Sequence, residues 1–242
     1  MSNTRRFHTG TLWTILLAGY LCLSNGRAEP LPPSETLVYE VRYGSLLAGR
    51  LTRTLHVDGS HYALHSVLEP AGVASWIGDD RLVEHSQGSL VEGVSEPREY
   101  RFDDDRKDRH YRYVFDPQLS LVQDNHPDPD IPMQAGIQDE VSVLQALRHA
   151  LLRGATTFDA AVVNGAKGRA YQHHYEVTGS ETVTVPAGEY SALRVARVTS
   201  RGKYRMTFWC AESLGFAPVR LSRVDPKGRE VTMHLTARET LS

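Results

Sequence analysis

From Leu37 to Tyr43 the chain alternates, with Leu37, Tyr39, Val41 and Tyr43 on one parity and Val38, Glu40 and Arg42 on the other. A period of two turns one set toward a core and the other toward water, so this stretch reads as a half-buried strand. The pattern returns over Arg50 to Val57, with Leu51, Leu55 and Val57 in phase, and again over His61 to Leu68. Asp58-Gly59 between them is a hairpin signal. Leu46 to Gly49 reads as a connection, Val73 to Ile77 as one helical turn or a loop over the sheet, and Arg81 to Ser86 as a strand. Tyr100 to Phe102 and Tyr111 to Phe115 flank the charged run Asp103 to Arg109, which predicts a hairpin with a solvated tip. Leu119 to Val122 is a short strand. Asp124 to Pro132 contains Pro127, Pro129 and Pro132 and must be a loop.

A helical period appears once. Val141, Leu144, Leu147 and Leu151, with Val143 and Ala150, form a stripe. Asp139 supplies an N-cap and Gly154 a stop, which predicts an amphipathic helix over about residues 139–153. Arg148 and Arg153 fall toward its electronegative end. Strands resume over Phe158 to Val163, Tyr171 to Thr178, Val183 to Tyr190, Tyr204 to Cys210, Val219 to Val224 and Glu230 to Thr240. In the hairpin Val183 to Tyr190, Pro186 pre-sets a turn and Gly188 offers a positive φ. Both are read as structural turn residues. The fold class that follows is all-β and mainly antiparallel, one large curled sheet as a partly closed barrel or β-roll, with the helix packed on it in a single domain over residues 29–242.

The first 28 residues break this pattern. Arg5 and Arg6 precede an apolar run from Thr11 to Ser24, and Gly26-Arg27-Ala28 places small residues where a signal peptidase cuts. Residues 1–28 therefore read as a signal peptide cleaved after Ala28, and the protein as periplasmic in a Gram-negative bacterium. Leu21 before Cys22 argues against lipid attachment. Cleavage leaves Cys210 as the one cysteine, so core burial and not a disulfide must hold the fold. It also removes Arg5, Arg6 and Arg27, taking the basic residues from 27 to 24 against 29 acidic ones. That balance offers no surface for nucleic acid. No transmembrane segment is expected after cleavage, and the sequence does not set the oligomeric state.

Several segments resemble a bacterial family of exported proteins of unknown function, domain-of-unknown-function family 3108. They are Glu35 to Val41 with Ala48-Gly49, Asp139 to Arg148, Val185 to Tyr190, Trp209, and Pro218 to Arg220. The resemblance spans about Glu35 to Leu241. It implies a periplasmic β-rich protein and brings no activity or catalytic residue. The plan is also similar to the periplasmic lipoprotein-carrier folds, a likeness of fold alone.

Candidate chemistry is sparse. His61 and His65 share a strand face with His56 nearby, but zinc asks for three or four supported ligands. His173 and His174 point to opposite faces. Asp103, Asp104, Asp105 and Asp108 are interleaved with Arg106, Lys107 and Arg109, which suits a solvated tip better than a cation site. There is no Gly-x-Ser-x-Gly, and Gly165 to Gly168 lacks phosphate-loop spacing. No catalytic residue, metal or cofactor is assigned. The aromatics either fill the core or line a concave ligand surface, and Tyr39, Trp76, Tyr113 and Trp209 are the ligand-binding candidates. The expectation is a non-enzymatic periplasmic protein that binds a lipid, a lipoprotein or another envelope component on its sheet. The alternatives are an envelope enzyme acting on a glycan or lipid through carboxylates that sequence cannot place, and an assembly module acting through sheet edges.

Overall fold

In the computed structural model each alternating segment becomes a strand because it finds a partner on either side. β1 (Glu35–Tyr43), β2 (Leu46–Asp58), β3 (His61–Pro70), β4 (Leu82–Val91), β5 (Val94–Asp104), β6 (Arg109–Asp116), β7 (Leu121–Asp124) and β8 (Ile131–Pro132) form one meander. β9 (Gln138–Asp139) and the helix α1 (Ser142–Leu152) follow. A second meander then runs through β10 (Thr157–Asn164), β11 (Arg169–Val185), β12 (Gly188–Val198), β13 (Arg205–Ala211), β14 (Ala217–Val224) and β15 (Glu230–Thr240). β1 pairs with β15 and joins the two into one 15-stranded sheet, ordered from β8 through β1 and β15 to β9. β9 lies parallel to β10, and the other pairings are antiparallel. The structure describes residues 34–241 except 77, 120 and 199–203, and not the side chains of Val73, Trp76, Gln123 and Asp124. The leader and Cys22 lie outside the described residues.

The two ends of this order, β8 and β9, are near neighbours in the chain, so the sheet curls until its edges approach. Side chains bridge the seam. Tyr113 donates its hydroxyl to the Gly165 carbonyl at 2.6 Å, and Gln172 donates to Gln134 at 2.7 Å. Tyr100, Phe102 and Tyr113 from one edge share a core with Ala161 and Val163 from the other. A Cβ on Gly165 would lie 2.7 Å from atoms of Phe102, so only glycine fits there. Among the described residues, the all-β curled sheet with one α-helix read from the alternation is the observed architecture.

The helix sits within the curl. On one flank Leu144, Leu147 and Leu151 pack on Ala160, Val162, Tyr175, Val195 and Phe208. On the other, Val141, Gln145 and Arg148 face Leu37, Tyr39 and Leu55 across a cavity of about 20 Å³, room for a single water. The polar side of the stripe is enclosed too: Ser142, Gln145, Arg148 and His149 are all buried. Arg148 was expected at the helix's electronegative end; it turns inward instead, to a buried carboxylate on β1.

Boundaries moved where tertiary pairing overrode local signals. Leu46 to Gly49 is the start of β2 and not a connection, because the turn is completed at Gly44-Ser45. β5 begins at Val94, ahead of the expected strand. Pro97 hides it in the sequence, and the chain accommodates that proline opposite Gly88 at a register shift. A Cβ on Gly88 would meet the Glu96 carbonyl oxygen at 2.0 Å. β11 is one 17-residue strand instead of two, kinked at the register shift between Val177 and Gly179. Asp139 is not the N-cap: that position is Val141, and Asp139 sits two residues earlier in β9, its Oδ1 accepting from the backbone N–H groups of Val141 and Ser142.

Candidate functional site

Inward positions on β2 are Gly49, Leu51, Arg53 and Leu55, so Arg53 projects among apolar residues. Register carries this position across the sheet. Arg53 lies opposite Ser66, Ser66 opposite Glu84, and Glu84 opposite Phe102. On the far wall Arg197 lies opposite Tyr175. A row of strands has thus placed two arginines and a glutamate on a face that is otherwise core.

The start of α1 completes the cluster. Asp139 is fully buried. Its Oδ2 accepts from Ser86 at 2.5 Å, and the Tyr62 hydroxyl lies 3.2 Å from the same Ser86 oxygen. Glu140 accepts from Asn164 Nδ2 at 2.8 Å and from the Gly165 N–H at 3.2 Å. Glu84 accepts from Tyr100 at 2.6 Å. Glu84 and Glu140 keep part of their surface at the mouth of the curl, yet protein surrounds them closely enough that lost solvation dominates their titration. Burial raises the Asp139 carboxyl to about 6 against the pull of its hydrogen bonds. Burial and then the neighbouring Glu84 charge raise Glu140 to about 7. Burial raises Glu84 as well, opposed by Tyr100 and by the Arg53 charge. Lost solvation is thus the first cause at both glutamates, and the Glu84 charge adds to the rise at Glu140. Among the described residues the Nε atoms of Arg53 and Arg197 have no hydrogen-bond partner.

A second polar group lies at the other end of the helix. Arg148, 1% exposed, donates to Glu35 at 2.6 Å, to Gln145 at 3.2 Å, and to the carbonyls of Gly215 and Leu214 at 3.0 and 3.2 Å. Arg238 donates to the second Glu35 oxygen at 2.7 Å. Each oxygen of that carboxylate meets a guanidinium, so this group is a clamp. Among the described residues no group of three or more His, Cys, Asp or Glu has the geometry to hold a metal, and no helix is long and apolar enough to cross a membrane.

With this geometry in place, the relatives can be compared. The family model described as "Protein of unknown function (DUF3108)" matches residues 38–236. The chain belongs to the DUF3108 family. No curated protein matches this family member. Among solved structures, the β-barrel-like protein of domain of unknown function DUF1849 from Brucella abortus is similar with a TM-score of 0.58 at 8% identity, covering 87% of this chain and 99% of that one. That likeness is one of fold. A protein described as exported, with a YmcC-like fold, from Bacteroides fragilis aligns with a TM-score of 0.36 at 14% identity, over 87% of this DUF3108 chain and 97% of its own. A protein described as a lipoprotein from Parabacteroides distasonis aligns with a TM-score of 0.39 at 11% identity, over 88% and 98%.

The aromatic candidates are dispersed in this DUF3108 fold. Tyr39 is buried and donates to the Pro218 carbonyl at 2.9 Å. Tyr113 is fully buried at the seam. Trp209 sits under the Arg220 guanidinium at 4.5 Å and donates to Glu181 at 2.6 Å. Trp76 ends a short 3-10 turn, Gly72–Trp76. Tyr39 and Trp209 share one core cluster and Tyr113 belongs to another, so no single surface gathers them. Pro186 and Ala187 form the two-residue turn between β11 and β12. Gly188 follows at φ +138°, and the Ala187 N–H donates to Leu235 on β15 at 3.0 Å. Cys210 is fully buried, its thiol pushed up to about 12 by burial. Sequence reading missed Arg53, Glu84, Glu140 and Arg197. The available signal was charge at positions in phase with Leu51, Leu55 and Val195.

Proposed function

We propose that this DUF3108 protein is exported to the periplasm and works as a non-catalytic binding protein that engages an envelope component from the outside of its curled sheet. One observation carries the reading: α1 occupies the interior and leaves, beside Arg53, a cavity of about 20 Å³. Pockets that hold small molecules are larger by more than tenfold, roughly 300–1,000 Å³. Export is supported by the leader pattern of residues 1–28. Native mass spectrometry of protein purified from periplasm tests the reading. The expected result is a chain lacking residues 1–28, free of retained lipid, that binds isolated envelope fragments. A stoichiometric acyl lipid carried through purification would overturn binding from the outside.

The Glu84–Glu140 pair favours a second reading, an envelope enzyme acting on a glycan or lipid. Two carboxyls whose titration is raised by lost solvation on one face of the curl can act as acid and base. Hydrolysis of envelope glycans or lipids that disappears in both Glu84→Gln and Glu140→Gln, with folding intact, would establish it.

A further inference from the structure

The antiparallel order places the connections β1–β2, β3–β4, β5–β6, β10–β11, β12–β13 and β14–β15 at one rim of the curl, the rim at which α1 begins. The connections β2–β3, β4–β5, β6–β7, β11–β12 and β13–β14 lie at the other. The two rims differ in chemistry. Of eight large apolar side chains exposed among the described residues, six stand at the first rim: Tyr43, Leu46, Leu47, Tyr171, Val198 and Tyr204. Leu46 is 53% exposed at the tip of the β1–β2 hairpin. Val91 and Leu119 are the two at the opposite rim.

Lysine follows the same division. The chain has four lysines. Lys107, Lys167 and Lys227 lie in three connections of the first rim, and Lys203 falls in sequence between β12 and β13. Each exposed tyrosine there has a cation beside it. Lys167 Nζ is 5.4 Å from the Tyr171 ring, the Arg223 guanidinium is 4.1 Å from the Tyr204 ring, and Arg229 reaches the Tyr43 hydroxyl. Acids also occur at this rim, and several are locally paired: Asp104 with Lys107, Asp225 with Arg229, and Asp128 with Arg169. Asp79, Asp80, Asp105, Asp108 and Asp130 stand there too. The opposite rim has an acid at or beside every connection (Asp58, Glu92, Asp116, Glu189 and Glu212) and no lysine.

Resting on the envelope-binding reading, we propose that the first rim is a membrane-docking face that takes the surface of a bilayer with anionic headgroups. Tyrosine suits the headgroup level, where its ring is apolar and its hydroxyl stays wet. Leucine tips enter the acyl boundary, while lysine and arginine lie along the rings and reach back to the headgroups. Anionic lipid attracts such cations over a Debye length, and the opposite rim, with no lysine and two exposed apolar side chains among the described residues, offers it less. A protein partner fits less well. Protein interfaces are depleted of lysine and built on one contiguous patch, whereas here the apolar tips stand on separate hairpins.

The test is flotation of the exported chain with vesicles of phosphatidylethanolamine and phosphatidylglycerol, against vesicles of phosphatidylcholine alone, at low and high salt. Binding to the anionic vesicles that weakens with salt is expected. Leu46→Asp with Leu47→Asp, and separately Lys167→Glu with Lys227→Glu, should each reduce it by about tenfold or more, with melting temperatures unchanged because all four side chains are exposed. Leu119→Asp, at the other rim, should bind like the parent. Absence of vesicle binding, or binding indifferent to both pairs, overturns the docking face. Rim variants that lose a stoichiometric envelope protein in place of vesicles would assign the rim to a protein. Periplasmic fractionation and binding to envelope fragments, run in parallel, separate the two levels. If those succeed while vesicles fail, the docking face is wrong and the envelope reading stands; if those fail, the envelope reading itself is wrong.

Discussion

The two ends of α1 handle buried charge in opposite ways. At the C-terminal end Glu35 receives guanidinium donors on both oxygens, from Arg148 and Arg238. At the N-terminal end Asp139, Glu140 and Glu84 accept from hydroxyls, amides and backbone N–H groups. Cationic donors compensate an ionised carboxylate in the place where solvent is lost. Neutral donors compensate it only in part, so lost solvation raises the titration of the acids at the N-terminal end. One end is therefore a fixed clamp. The other, opening on the rim with the exposed tyrosines, can change charge near neutral pH.

The largest effect should come from breaking the clamp. Arg148→Met leaves Glu35 buried with Arg238 as its remaining partner, and urea unfolding should show a loss of about 3–5 kcal/mol. Glu35→Leu combined with Arg148→Met should recover most of it, because the two fully buried charges go together and the Arg238 left over is partly exposed and can turn to water. A single-variant loss below about 1 kcal/mol would mean that the clamp is not what holds this end. An intermediate effect is expected at the seam beside the acid cluster. Gly165→Val forces its side chain against Phe102 and should cost about 1–3 kcal/mol, read as a lower melting temperature. An unchanged melt would show that the edges do not close as described.

The smallest effect sharpens the comparison most. The folded protein keeps protons on Asp139 and Glu140 up to about 6 and about 7, whereas the unfolded chain releases them near 3.8 and 4.5. Between those limits the folded state binds more protons, so this cluster's contribution to stability falls as pH rises from about 4 to about 7 and is level above. Glu140 faces Glu84 and Asp139, with Arg197 across the curl. Glu140→Gln should flatten the upper part of that slope and gain on the order of 1 kcal/mol at pH 8. Glu40 and Glu99, held below the usual carboxylate range by Arg42 and Arg112, act the other way. Their contribution is present above the unfolded value near 4.5 and is lost as pH falls through their lower folded values. Denaturant midpoints measured across this range check both signs, and a parallel profile for Glu140→Gln would remove Glu140 as the cause.

Most strands were legible because alternation is a local property. Leu37, Tyr39 and Val41 declare an inward face whatever lies beside them, and each is buried. The first half of β5 was not legible, because Pro97 signals a break that a bulge at Gly88 absorbs. The site was less legible than the fold. Arg53 and Glu84 do interrupt apolar parities, but on a single strand an inward charge looks the same as a register error. Only with Ser66 between them do they become neighbours in one row. The aromatic candidates show the converse. Tyr39 and Tyr113 were visible as rings, while the carbonyls that receive their hydroxyls, on Pro218 and Gly165, lie far away in the chain.

The β-rich class, the α-helix among the described residues and the hairpins that turn at Gly59 and at Pro186-Ala187 follow from the sequence alone, because periodicity and turn chemistry act over a few residues. Tertiary structure decided what the helix would touch. Pairing of β1 with β15 joins the two meanders, and the resulting curl buries nine of the eleven residues of α1. Polar residues that a surface helix would give to water had to find partners inside, Arg148 on Glu35 and Glu140 on Asn164. Which of those partners are cations and which are neutral depends on strands far apart in the chain, and no local pattern of residues carries that information.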